Sequence, residues 1–332
     1  MTPEQLAAFM KAFGIDEEQL SKHLAGGEAS GEESDLVKFA KGAIAPSDLA
    51  VSGTISPTRA SKFIDLIQKN NQLLSKVTVI PMESLKSEYD VWDMDRGVLV
   101  RVPEGSEPND TQKKKIQNKG RKLDAKAMQL FADVLRATIL NNQHRPDLVK
   151  WLDNNFSIKF GNELVYLGFV GEKDDYANEE FKNLNKGWIQ VAKDDGETNK
   201  TTYAADDTMV ERLEKLVDVA DDEMGDDAKI LIHRKDFIKY CIEVGKSTNS
   251  SQLLIEAAAQ GFAGYGFEVT NNMPSGKYML TPLKNLVFGM ANKIYRSREF
   301  NSRKRAVEYT FDIHADYDIA VPRFVSFIEA SS

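Results

Sequence analysis

Residues 83–128 constrain this chain more than any other stretch. Short strand-like pieces, among them "GVLVRV", flank a polar tip that carries Lys113, Lys114, Lys115, Lys119, Arg121 and Lys122. With Lys126 just beyond and Asp124 the one acid among them, residues 111–126 sum to a net charge of +6. The pattern predicts a long hairpin, and an isolated two-stranded ribbon is marginal in water because it cannot bury either face. This hairpin therefore needs a surface outside itself to lie on. The basic tip has no interleaved aromatic residues, so pairing with an acidic protein surface suits it better than gripping nucleic acid. A matching acidic block exists. Residues 206–227 hold ten acids against Arg212 and Lys215, a net charge of −8.

The remaining composition removes several function classes. The chain has 332 residues, 42% hydrophobic and 28% charged, which suits one large or two medium globular domains. Its net charge of −8 argues against general nucleic-acid binding, which needs a basic footprint. Cys241 is the one cysteine, so no disulfide forms within the chain, and its apolar window "FIKYCIEV" predicts a buried structural thiol. No run of apolar residues approaches a membrane span. The N-terminal "MTPEQLAAFMKAF" lacks the pattern of a secretory signal. The expected setting is a reducing cytoplasm, or a particle leaving it.

Along the chain, helical spacing over 3–13 and "DEEQLSKHLA" predicts two short N-terminal helices. Residues 26–60, rich in Gly, Pro and small residues, read as an extended arm. A helix is expected over 59–76 and a strand at "VTVIPM". Residues 129–143 read as helical, and Pro146 begins a long helix whose apolar residues run from Val149 to Leu167. Residues 206–292 read as a compact α/β unit in which "AKILIH", "FEVTNN", "KYMLT" and "NLVFGM" are strands. Long strands return over 293–328, and "RAVEYTFDIHADYDIAV" is long enough that a break near His314 is expected.

The catalytic inventory is nearly empty. "VGKSTNSS" ends like a phosphate-binding loop, but the position five residues before Gly245 is Tyr240 where a glycine is needed, and no strand leads into it. Gly245 reads instead as a helix C-cap. A nucleotide-dependent enzyme using Lys246 and Ser247 is the reading from another class. His23, His144, His233 and His314 are scattered without metal-site spacing. The acidic clusters match no calcium loop. No cofactor and no metal are expected.

The stretch "GFVGEKDDYANEEFKNLNKGWIQ", residues 168–190, follows the long helix. Here the chain is similar to a known family. "LVYLGFVG", a polar loop and "NLNKGWIQ" resemble the tailed-phage major capsid proteins of the Hong Kong 97-type fold, in the branch typified by phage P-two. "DAKILIHRKDFI", "YMLTPLKNLVFGM" and "YTFDIHADYDIAVP" resemble later elements of that branch in the same order. The resemblance covers roughly residues 60–328 and rests on order and pattern rather than identity.

The resemblance implies an α+β chain with this layout: an N-terminal helical segment 1–25, an N-arm 26–82 and an extended hairpin loop 83–128. A peripheral domain 129–205 would hold a spine helix 146–167, an axial α/β domain would span 206–292, and return strands 293–332 would rejoin the peripheral domain. It implies a structural, non-enzymatic protein of the virion, made in the bacterial host cytoplasm. Copies would form hexamers and pentamers that close an icosahedral shell around double-stranded DNA, with scaffold, portal and decoration proteins as further partners. A protein-filled, encapsulin-like compartment is the alternative on the same fold. Lys113, Lys114, Lys115, Lys119, Arg121 and Lys122 would make inter-subunit contacts. Gly168 and Gly171 would let the chain turn off the spine helix without a side-chain clash, and Trp188 would anchor the joint.

Overall fold

The structure, a computed structural model, describes residues 51–54, 71–93, 101, 117–142, 144, 148–175, 180–247, 261–291 and 295–331. The expected N-terminal helices, most of the arm and the hairpin tip, with Lys113, Lys114 and Lys115, lie outside the described residues. In chain order the first strands are β1 (Val51–Thr54), β2 (Thr78–Met82), β3 (Lys86–Asp93), β4 (Gln117–Asp124) and β5 (Lys126–Leu135). Helices α1 (Arg136–Asn141), α2 (Leu148–Val170) and α3 (Trp188–Asp194) follow. Next come β6 (Asn199–Tyr203), α4 (Met209–Asp218), β7 (Ala228–His233) and α5 (Arg234–Ser247). The chain finishes with β8 (Gly261–Phe262), β9 (Tyr265–Thr270), β10 (Tyr278–Pro282), β11 (Leu286–Ala291), β12 (Tyr295–Asn301), β13 (Ala306–Ile319) and β14 (Ser326–Ala330). This is a mixed α+β chain, and it divides into two compact units.

The smaller unit comprises residues 1–53, 131–156 and 296–310. Its described core gathers Val134, Ile139, Leu148, Leu152, Ala306 and Val307, all buried. The rings of Phe156 and Tyr309 meet at 5.2 Å. The end of β5 lies here, and it corrects the helix expected over 129–143: strand persists to Leu135 and only Arg136–Asn141 is helical. The physical reason is alternation. Met128 and Val134 turn inward while Phe131 and Leu135 stay exposed, which is a period of two. The two exposed apolar residues give the stretch its misleading helical look.

The larger unit carries the rest. One of its sheets runs β6-β14-β10-β7-β9-β8. Its centre, β7, pairs antiparallel with β10 and parallel with β9. With strands on both sides, the continuous apolar run Ile230, Leu231 and Ile232 is fully buried. α4 and α5 cover this sheet and build a core with Leu213, Leu216, Tyr240 and Tyr278. α4 starts at a capping box: the Thr208 hydroxyl accepts from the Glu211 backbone, and Glu211 accepts from the Thr208 backbone. Glu243 of α5 then accepts from Met209 N at 2.9 Å, so the orphan N–H groups of the first turn are met.

Three expectations are corrected here. β11, placed with the 206–292 unit, pairs instead with β13 (Leu286 opposite Ile319) and with β2 (Val287 opposite Thr78). In exchange β6 and β14 join the sheet beneath α4 and α5. β13 does not break near His314 but runs unbroken for 14 residues, because β12, β11 and β5 all pair with it. Finally, α5 continues through Gly245 to Ser247, so Gly245 is not a cap beyond the helix. The Gly-Lys-Ser run is helical, and its N–H groups point along the helix axis instead of converging on a phosphate. Tyr240 is a core residue among Phe237, Phe262 and Phe267.

Candidate functional site

The long helix α2 ends at Val170, three residues later than the sequence suggests, and the chain then closes a tight joint. Trp188, the first residue of α3, is fully buried, and its indole Nε1 donates to Val287 O at 2.8 Å. The ring meets Tyr317 edge-on at 5.2 Å and Phe169 at 5.4 Å. Tyr317 is itself buried, and its hydroxyl donates to Leu164 O of α2 at 2.7 Å. Burial, with Asp316 nearby, pushes that hydroxyl's pKa well up, so it remains a donor.

The glycines of the joint are crowded by what packs on them. Gly168 lies inside the last turn of α2, and among the described residues the glycines with positive φ are Gly264 and Gly276. Gly168 and Gly171 therefore serve close approach. A Cβ on Gly168 would lie 2.6 Å from the Trp188 ring. One on Gly171 would overlap Asn185 O, and one on Gly187 would overlap Gly168 O. Gly187 N donates to Gly171 O at 3.1 Å, and Asn185 Nδ2 donates to Ala315 O at 3.2 Å. The sequence reading names Gly168, Gly171 and Trp188 but gives no role to Asn185, Gly187, Tyr317 or Val287. "NLNKGW" holds the first two, and only the tertiary fold shows what they touch.

The second feature is the root of the hairpin. β3 and β4 pair antiparallel, from Lys86 opposite Asp124 to Asp93 opposite Gln117. The root is pinned by apolar contact and by carboxylates. Leu123 and Met82 are both 1% exposed and close over Gly289, where a Cβ would lie 2.8 Å from Leu123 Cδ1. On β13 the polar residues alternate. Asp318 accepts from the Tyr89 hydroxyl at 2.9 Å, and Asp316 accepts from Asp124 N at 2.7 Å and Asn185 Nδ2 at 3.1 Å. Arg121 donates to Asp195 at 2.9 Å and comes within 4.0 Å of Asp318. Lys126 bridges Asp124 and Asp174 at 3.1 and 2.9 Å, which raises its pKa.

Burial pushes the carboxyls of both Asp316 and Asp318 above the usual range, against the hydrogen bonds that stabilise their charge. Burial and Asp318 likewise push Tyr89 up.

The structure treats the six basic residues unequally. Lys113, Lys114 and Lys115 are outside the described residues. Lys119 donates to Glu197 at 2.8 Å, Arg121 is held as above, and Lys122 pairs across the hairpin with Glu88 at 3.0 Å. Lys119 and Arg121 are thus tied to carboxylates of their own chain and are not free basic charge. Lys122 remains highly exposed. Among the described residues no cluster of three or more His, Cys, Asp or Glu is placed to hold a metal ion. No described helix is long and apolar enough to cross a membrane. The geometry anchors the paired strands β3 and β4 firmly.

No family model matches the chain, and no curated protein matches it. Solved structures do. A chain of the satellite phage P4 procapsid, which includes the size determination protein, is 13% identical with a TM-score of 0.63, covering 81% of this chain and 98% of its own. A chain from the capsid of an empty GTA particle is 13% identical with a TM-score of 0.52, covering 79% and 90%. A chain of Microbacterium phage Oxtober96 is 14% identical with a TM-score of 0.50, covering 79% and 91%. At such identities the likeness is one of fold: this mixed α+β chain has the fold of chains found in phage and GTA capsids.

Proposed function

We propose that this protein is a shell subunit, the major capsid protein of a tailed phage with the Hong Kong 97-type fold. In this reading it is structural and not an enzyme. Copies assemble into hexamers and pentamers and close an icosahedral shell around double-stranded DNA, in the branch typified by phage P-two. The part-by-part layout given above, from N-arm to return strands, belongs to the same proposal, as do scaffold, portal and decoration partners and a place in the virion.

One observation carries the reading. The hairpin β3–β4 is held by Leu123, Tyr89 and Arg121, and a two-stranded ribbon supplies no core of its own. Such an element suits a neighbouring subunit's surface. Lys122, with Lys113, Lys114 and Lys115, is the charge we assign to that contact, while Lys119 and Arg121 set the direction of the ribbon. The capsid fold of the neighbours supports the same conclusion.

The test is purification of the particles formed when the gene is expressed with its genomic neighbours. Nuclease-protected DNA inside closed shells is the expected content. Shells filled with a protein cargo and free of DNA would favour an encapsulin-like compartment, and particles that never form would remove the shell reading.

A further inference from the structure

The outer faces of α4 and α5 carry charge that the fold does not explain. On α5, Ile238 and Ile242 are 51% and 52% exposed, one turn apart. Arg234 and Lys235 flank the same stripe, both exposed and neither in an ion pair among the described residues. They sit in the first turn, where the helix dipole disfavours cations. α4 shows the opposite arrangement. Glu214 and Asp218 are exposed, unpaired among the described residues and one turn apart, so they repel each other. Asp218 is the last residue of the helix, where the dipole disfavours anions. Each block breaks a local rule of helix electrostatics without a compensating ion pair among the described residues.

We infer that these two stripes form an interface with a second copy of this chain, in which Arg234 and Lys235 of one copy face Glu214 and Asp218 of another, around the apolar pair Ile238 and Ile242. Both stripes point away from the sheet that α4 and α5 cover, so they are open to another molecule. The charges are opposite, and they would relieve both dipole conflicts on contact. The apolar pair supplies an area that water leaves on association. A surface carrying both halves of a complementary pair selects its own copy, because like would meet like if the stripes were misplaced. The inference rests on the shell reading and names one contact within it.

The experiment is sedimentation velocity with electron microscopy on four full-length chains. These are the wild type, Arg234→Glu with Lys235→Glu, Glu214→Lys with Asp218→Lys, and the chain with all four changes. All altered positions are exposed, so circular dichroism should be unchanged. Each double variant alone should need at least a tenfold higher concentration to assemble. Mixing the two doubles, or combining all four changes in one chain, should restore assembly. Wild-type shells alongside double variants that assemble equally well would overturn this contact alone. Doubles that fail with no rescue by mixing or by the fourfold chain would also overturn it. A wild type that stays monomeric at every concentration, also when co-expressed with its neighbouring genes, would overturn the shell reading and the contact with it.

Discussion

The indole of Trp188 lies so close to Gly168 that a Cβ at residue 168 would sit 2.6 Å from Cζ3 and 2.8 Å from Cε3 of the ring. The ring cannot retreat, because Val287 holds its Nε1 and Tyr317 closes its edge. Gly168 therefore costs α2 some helix propensity and returns a close helix-to-ring contact.

Gly168→Ala should lower stability by about 1–3 kcal/mol despite alanine's better propensity, since overpacking dominates in a rigid core. Gly120→Ala is the contrasting control. Nothing lies within 4 Å of a Cβ there, and the position is an exposed strand residue. It should be neutral or stabilising by up to about 1 kcal/mol. Denaturant titration of both variants checks the pair. Equal losses at both positions would mean that the ring does not set the joint.

Arg121 and Lys122 are neighbours on β4 with opposite expected weights. Arg121→Ala leaves Asp195 and the buried Asp318 without their cation, and should cost about 1–3 kcal/mol. Lys122→Ala removes an exposed pair with Glu88 and should cost about 0–1 kcal/mol. Limited proteolysis should show faster cutting near the hairpin in the first variant only. Identical protease patterns would count against the pinned root.

Asp316 and Asp318 give a pH signature. Both folded pKa values lie above the unfolded carboxylate value of 3.8, and burial is the leading cause. In the window just above 3.8 the folded chain holds these protons while the unfolded chain has lost them. The folded state then binds more protons, so stability from these two groups falls as pH rises through the window and is highest below it. Asp316→Asn with Asp318→Asn should flatten that fall. Thermal melts of wild type and variant from acid to neutral pH check it, and parallel profiles would contradict it.

Much of this was legible in the sequence, for local reasons. "AKILIH" reads as a buried strand because its apolar run is continuous, and it is β7 residue for residue. The long helix and the hairpin strands follow from periodicity and charge, whereas attention to Trp188 came from the family resemblance of "NLNKGWIQ". What failed depended on partners far along the chain. β11 has the same apolar look as β10, and only its pairing with β13 and β2 assigns its sheet. The strand over 126–135 was masked by the exposed Phe131 and Leu135. The roles of Asp316 and Asp318 were hidden because an alternating acid in a strand looks like a solvated face. Here that face receives Tyr89, Asn185 and the Asp124 backbone.

The most direct test of the central claim is assembly itself: electron microscopy and light scattering of the purified chain across concentration and a salt series. The account predicts closed shells or capsomer rings that loosen as salt screens the charged contacts between copies. A compact monomer at every concentration and salt, unchanged by co-expression with neighbouring genes, would contradict it.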